Sequence, residues 1–367
     1  MSPISYSDPV IGGDEIWQSI YQFGMDTHPK LPAYLKFYIN MDIWRASLRH
    51  VEGALKLARY VSGKGTIIAF RGSFHGRTMG AASVTSSNLS FRRRYSPFLP
   101  QVYFAPYPYC YRCSFAQQPD TCHLECIEYL KKDLQLVIPP EEVSAILFEP
   151  VQGEGGYIVP PAKYVRALGE LARNINTLLI FDEVQTGIGR TGRFLAEEHF
   201  GVVPDIICMG KAVGGGFPMS VVAARKELMQ QWVAGAHGTT FGAHPVACAA
   251  SLAMLDIIAS PQFLADVEKN GQYFRSRLNE LQKKFAMIGQ VRGLGLMNAI
   301  EMVKQDGAPD SDFCGEVIHN MMKRKILLMK CGAEGQTIRF IPPLNMTRQM
   351  LDEVIQSLSE SISEALH

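Results

Sequence analysis

The chain has 367 residues, a net charge of +1, and 47% apolar against 19% charged residues. That length and balance hold two domains, or one large domain with an appendage, around a sizeable core. They argue against nucleic acid or a membrane surface as the main partner. No run approaches the roughly 18 uninterrupted apolar residues of a membrane span. The opening Met-Ser-Pro-Ile-Ser-Tyr-Ser-Asp lacks the basic and apolar regions of a secretory signal, so the expectation is a cytoplasmic enzyme.

In chain order, the first 45 residues give no element, and the run from Tyr34 to Trp44 is apolar without a period. Val51–Val61 reads as an amphipathic helix and Thr66–Phe70 and Val102–Pro106 as strands. Ala145–Val151 reads as a strand running into Gln152-Gly153-Glu154-Gly155-Gly156. A helix over Lys163–Ala172 precedes strands at Leu178–Asp182 and Ile206–Met209. Short apolar strands alternating with helices predict an α/β fold whose mostly parallel sheet is covered on both faces. Pro245–Ile258 and Gln262–Phe285 read as helices, and Val291–Met302 as a hairpin or strand. Ile326–Met329 and Thr337–Ile341 read as strands, and Arg348–Ala365 as a closing helix. This last part lacks strict alternation and predicts a smaller α+β domain. The expected division is a divergent segment over 1–45, a large domain over 46–258 and a small one over 259–367.

Lys211 follows the apolar strand Ile206–Met209 and precedes the glycines 214–216. A strand that drives an ammonium inward penalises its charge, which a salt bridge or use as a neutral nucleophile resolves. A lone lysine is most often a solvated or paired side chain. Here a second strand, 29 residues upstream, ends in Asp182. An amine and a carboxylate at two strand ends supply what a pyridoxal phosphate site needs, a Schiff-base lysine and a partner for the ring nitrogen. Glu149 falls at a third strand end, so three ionisable groups converge on the rim where open α/β sheets bind ligands. Cys110, Cys113, Cys122 and Cys126 follow the pattern C-x2-C-x8-C-x3-C. That spacing is only loosely that of a zinc site, and a surface excursion without metal is the plainer expectation.

From about Val51 to the C-terminus, the chain resembles the class III pyridoxal-phosphate aminotransferases, the group with 4-aminobutyrate, ornithine and acetylornithine aminotransferases. The resemblance rests on five motifs in order. They are Phe74-His75-Gly76-Arg77-Thr78, Glu149-Pro150-Val151-Gln152-Gly153-Glu154-Gly155-Gly156, Phe181-Asp182-Glu183-Val184-Gln185-Thr186-Gly187, Gly210-Lys211 and His237-Gly238-Thr239-Thr240-Phe241-Gly242. The resemblance implies fold type I, a homodimer with a shared active site, and ping-pong transfer of an amino group from a 4-aminobutyrate-like ω-amino acid to 2-oxoglutarate. It implies Lys211 as Schiff-base and proton-shuttling residue and Asp182 as partner of the pyridinium nitrogen. Gln185 would bond the ring's phenolic oxygen, Val184 and Phe74 would pack on the ring faces, and His75 would join them in the cofactor site. Thr240 would reach the phosphate from the neighbouring subunit. Arg77 would hold a substrate carboxylate, and Arg339 the α-carboxylate of glutamate or 2-oxoglutarate. Glu154 would neutralise Arg339 when an ω-amino substrate is bound. Glu149 would touch the substrate pocket or support Gln185.

Two departures qualify the resemblance. Family members open with about sixty more residues, which supply strands and part of the substrate pocket. Where the family has Asn-Ser-Gly-Ser/Ala-Glu-Ala, whose amides cradle the phosphate at a helix start, this chain has Arg45-Ala46-Ser47-Leu48-Arg49-His50. The glycine that permits close backbone approach is gone. Arg45 or Arg49 would compensate as a phosphate-binding cation and Ser47 would donate its hydroxyl, although a serine before a helix is most often only its N-cap. The abrupt loss of pattern reads as an altered or misjoined N-terminus. Two further readings follow: an impaired relative with a structural or interaction role, and a racemase or decarboxylase on the same fold.

Overall fold

A computed structural model describes the backbone of residues 42–45 and residues 50–233, 235–238, 242 and 244–367. The unassigned segment before residue 42, with Ser47 and Thr240, lies outside these residues. The larger sheet has seven strands: β1 (Asp42–Arg45), β2 (Thr66–Phe70), β3 (Val102–Ala105), β4 (Val143–Phe148), β5 (Leu178–Asp182), β6 (Ile206–Met209) and β7 (Met219–Ala224), in the order β1-β7-β6-β5-β4-β2-β3. Strands β3, β2, β4, β5 and β6 run parallel, while β7 is antiparallel to both β6 and β1.

Strands β2, β4, β5, β6 and β7 are buried along almost their whole length, because most of their residues are apolar and both faces are covered. In β2, Ile67 and Ala69 pack with Val51, Leu55 and Ala58 of helix α1 (His50–Ser62). The alternate residues Ile68 and Phe70 pack on the other face with Ile127 and Leu130 of a helix over Glu125–Leu136 and Tyr164 and Leu168 of one over Ala162–Asn174. The period of two sends neighbours to opposite cores. Parallel strands need crossovers, and those helices supply two of them.

The smaller sheet is antiparallel throughout: β8 (Ile288–Leu294), β9 (Met297–Met302), β10 (Met329–Cys331) and β11 (Thr337–Phe340), in the order β10-β11-β9-β8. Phe274, Leu278, Val317, Met321, Ile355 and Leu358 from three helices, Pro261–Lys284, Ser311–Lys323 and Arg348–Ala365, form its core with Ile300 and Ile338.

Two predicted strands differ. The one expected to reach Val151 ends at Phe148, its last pair on β5, and Gln152 turns to bridge Ile158. The strand expected over Ile326–Met329 exists only from Met329. Lys325 takes a left-handed φ of 61° and the Ile326 amide donates to the Met321 carbonyl, so this stretch closes the preceding helix. Strand β7 and the helices over Glu125–Leu136 and Ser311–Lys323 were not anticipated. Among the described residues no single helix is long and apolar enough to cross a membrane.

Candidate active site

The carboxyl ends of β4, β5 and β6 open onto one cavity of about 440 Å³. Its walls hold every described residue assigned to the site from sequence: Phe74, His75, Arg77, Glu149, Glu154, Asp182, Val184, Gln185, Lys211 and Arg339. Ser47 and Thr240 are outside the described residues.

Lys211 has a φ of 47°. A left-handed lysine costs roughly 1–3 kcal/mol and persists where the surroundings enforce it. Here it turns the side chain off the strand and into the cavity. The cavity leaves Lys211 accessible, yet the protein around the amine desolvates it and lowers its pKa below the ordinary lysine value. A neutral amine is the nucleophilic form.

Asp182 is buried. Burial alone would raise its pKa, but the bond and charge of His75 outweigh that and hold the carboxyl below its usual range. His75 Nδ1 lies 2.8 Å from Asp182 Oδ2, and Asp182 Oδ1 accepts from the Val184 amide at 3.1 Å. His75 Nε2 is buried with no hydrogen-bond partner. Asp182 therefore stays anionic while its imidazole neighbour keeps one nitrogen spare.

Glu149 differs from Asp182 in its partners. Its two oxygens accept from the backbone amides of Phe74 (2.9 Å) and Gly153 (2.8 Å), and burial pushes its pKa up to about 7. It ties two motif loops together at the cavity wall. Gln185 donates from Nε2 to the Tyr157 hydroxyl at 2.7 Å. Phe74 packs edge-on against Phe91, and the Arg77 guanidinium sits 4.8 Å from the same Phe91 ring. Arg339, on β11, meets Glu154 at 2.7 Å, with both side chains only partly exposed. Glu154 is no remote surface acid, because its carbonyl accepts from the Gly332 amide of the small-sheet region at 2.9 Å.

Sequence reasoning missed three residues. His50, first in α1, is buried on the cavity wall with Nδ1 unpartnered, and burial lowers its pKa to about 4, leaving a neutral imidazole. It stood out only as part of the run that departs from the family motif. Phe91 carried no sequence signal. Tyr157 directly follows the Gly155-Gly156 motif and was overlooked for lack of chemistry of its own.

The four clustered cysteines surround a separate cavity of about 80 Å³ with Tyr107, Phe115 and Tyr164. Burial raises the Cys110 thiol and pushes that of Cys126 up to about 12, which favours neutral thiols. Among the described residues no three His, Cys, Asp or Glu side chains are placed to hold a metal ion.

The fold is that of pyridoxal-phosphate-dependent transaminases of fold type I. The chain belongs to the class III aminotransferase family, whose pattern, Aminotransferase class-III, matches residues 48–362. It is 37% identical over 321 residues to an alanine/serine racemase of Pyrococcus horikoshii, spanning 86% of this chain and 68% of the relative. It is 34% identical over 314 residues to a probable 4-aminobutyrate aminotransferase of Bacillus subtilis, spanning 85% and 72%. An amine transaminase from an uncultivated Pseudomonas species, solved with pyridoxal phosphate bound, superposes with a TM-score of 0.87 at 27% identity, covering 99% of this chain and 83% of that one. The family is pyridoxal-phosphate dependent and includes both transaminases and racemases.

Proposed function

We propose that this protein is an aminotransferase that moves an amino group from a 4-aminobutyrate-like ω-amino acid to 2-oxoglutarate. The observation that carries this reading is the Arg339–Glu154 pair in the same cavity as Lys211. A transaminase must accept two unlike substrates in turn. Arg339 paired to Glu154 presents little net charge to an ω-amine. Arg339 released from Glu154 offers a guanidinium fork to the second carboxylate of 2-oxoglutarate. A racemase of simple amino acids needs no such exchange.

The residues fit the cofactor. Lys211 supplies a desolvated amine, Asp182 a carboxylate kept ionised, Gln185 an amide, and Phe74 and Val184 apolar walls. When bound, pyridoxal phosphate supplies an electron sink for the carbon that bears the amino group. Lys211 then moves the proton at that carbon as base and acid. Asp182 holds the proton on the ring nitrogen, with His75 keeping the carboxylate oriented. Arg77 binds the donor's carboxylate. We also propose a cytoplasmic homodimer in which Thr240 of the neighbouring copy, together with Ser47, contacts the phosphate.

The 37% identity to a named racemase favours a second reading, amino-acid racemisation. One experiment separates the two. The protein is purified with pyridoxal phosphate, its borohydride-sensitive visible band recorded, and 4-aminobutyrate, ornithine and acetylornithine each added without oxo acid. The aminotransferase reading expects one of them to discharge the band, and 2-oxoglutarate to restore it. Loss of optical activity from an L-amino acid, with no ω-amine discharging the band, would overturn it in favour of racemisation.

A further inference from the structure

We propose that Tyr157 is a positioning residue, which fixes the Gln185 amide so that its remaining N–H is presented to the phenolic oxygen of a bound pyridoxal ring. The proposal rests on the reading of this cavity as the cofactor site.

The geometry of Gln185 leaves little choice. One Nε2 hydrogen is given to the Tyr157 hydroxyl at 2.7 Å. The carbonyl oxygen is turned against Gly153, where any side chain would run into it. The one group left to face the cavity is the second hydrogen on Nε2, and Gln185 lines that cavity beside Lys211 and Asp182. A free amide donor there suits an anionic oxygen on the ring edge.

Tyr157 is well built for this task. Its side chain is fully buried and is not part of the cavity wall, so it acts through Gln185 rather than on a ligand. Burial pushes its phenol well above the usual range, which keeps it a neutral hydroxyl able to accept from the amide. Its backbone has a φ of 55°, and its amide donates to the Gly153 carbonyl at 3.1 Å, closing a tight turn. The small sheet braces that turn through Arg292 Nε on the Gly156 carbonyl at 2.8 Å. The rigid turn thus holds both the hydroxyl that takes one hydrogen and the glycine that receives the oxygen.

The consequence is readable without turnover. With pyridoxal phosphate bound, a donor held by Gln185 on the phenolic oxygen would stabilise negative charge there and so lower the pH at which the visible band titrates. Without Tyr157 the amide can rotate about its last bond and present oxygen instead, which repels the ring oxygen.

The test uses Tyr157→Phe, Gln185→Ala and the double variant, loaded with pyridoxal phosphate. Three quantities are measured: the dissociation constant by fluorescence titration, the pH midpoint of the visible band, and the melting temperature. The proposal expects each single variant to raise the midpoint by about one pH unit and weaken binding about 3- to 10-fold. The double variant should move no further than Gln185→Ala alone, since the two act as one unit. A lowered melting temperature in Tyr157→Phe with an unmoved midpoint would make Tyr157 merely structural and overturn the proposal. Additive shifts in the double variant would also overturn it. A wild-type protein that forms no band would overturn the proposal together with the cofactor reading, whereas a normal wild-type band with unmoved variants overturns the role of Tyr157 alone.

Discussion

Two buried carboxylates, one in each sheet, show how the same group serves different ends. Glu301 on β9 and Asp182 at the end of β5 are both held below the usual carboxyl range against the opposing effect of burial. Glu301 achieves this with three side chains: Arg292 at 2.7 Å, together with Arg112 and Tyr109. Asp182 has one imidazole and one backbone amide, and it faces the cavity. The Glu301 network is complete and welds the excursion after β3 to the small sheet. At Asp182 each carboxylate oxygen has one partner, and the far nitrogen of the His75 ring is buried without one. The two acids thus differ in what surrounds them: Glu301 is enclosed by three side chains that bind it, while Asp182 lies on the wall of the cavity.

The contrast can be broken in order of expected effect. Lys211→Ala should cut turnover by at least about a thousandfold and abolish the visible band, with melting temperature little changed; surviving turnover would remove the amine from the chemistry. Glu301→Ala should cost about 3–5 kcal/mol in denaturant unfolding, because Arg292 is left buried without its counter-charge. A loss below about 1 kcal/mol would mean that the network is no tighter than a surface pair. Asp182→Asn should do the reverse of Glu301→Ala: a fall in kcat of about a hundredfold with a smaller loss of stability. Arg339→Ala should raise KM for 2-oxoglutarate about 10- to 100-fold, the worth of a charge-assisted bond, while the half-reaction with an ω-amine stays within about twofold. An equal loss in both half-reactions would dissolve the switching role of the Glu154 pair.

A third carboxylate sharpens the comparison through pH. Glu183 is buried, with the Thr186 hydroxyl and backbone amides as its partners among the described residues, and burial pushes its pKa up to about 7. Its folded pKa lies above its unfolded one, so its contribution to stability is fully present below about pH 4.5 and is lost as pH rises through about 7. Glu301 has the opposite sign: its contribution is present above the unfolded carboxyl pKa of about 4.5 and is lost as pH falls through its lower folded value. Urea unfolding of Glu183→Gln between pH 5 and 8 should show a flatter slope than wild type. An unchanged slope would show that Glu183 is not the group that titrates.

Much of the site was legible because its chemistry sits where strands end. The apolar runs of β5 and β6 marked their own boundaries, and Asp182 and Lys211 followed directly. Glu149 was found by the same logic, but its actual partners, the amides of Phe74 and Gly153, depend on two loops meeting. Strand β7 escaped notice because Met219–Ala224, after a glycine cluster, has no alternation to read, being buried at every position. The Ile326–Met329 stretch was misread because an apolar run looks alike in a strand and in a helix ending.

By itself, the sequence determined the α/β class, the amine and carboxylate at neighbouring strand ends, and the family to which the motifs belong. These are local properties: apolar period, strand termini and the residue types that their chemistry requires. Only the tertiary structure decided which groups share an atom. It set His75 on Asp182, Glu154 on Arg339 across 185 residues, and Tyr157 on Gln185. It also left the four cysteines around a cavity without arraying them for a metal. Hydrogen bonds need partners within about 3 Å, and no spacing along the chain specifies which distant loops will bring them that close.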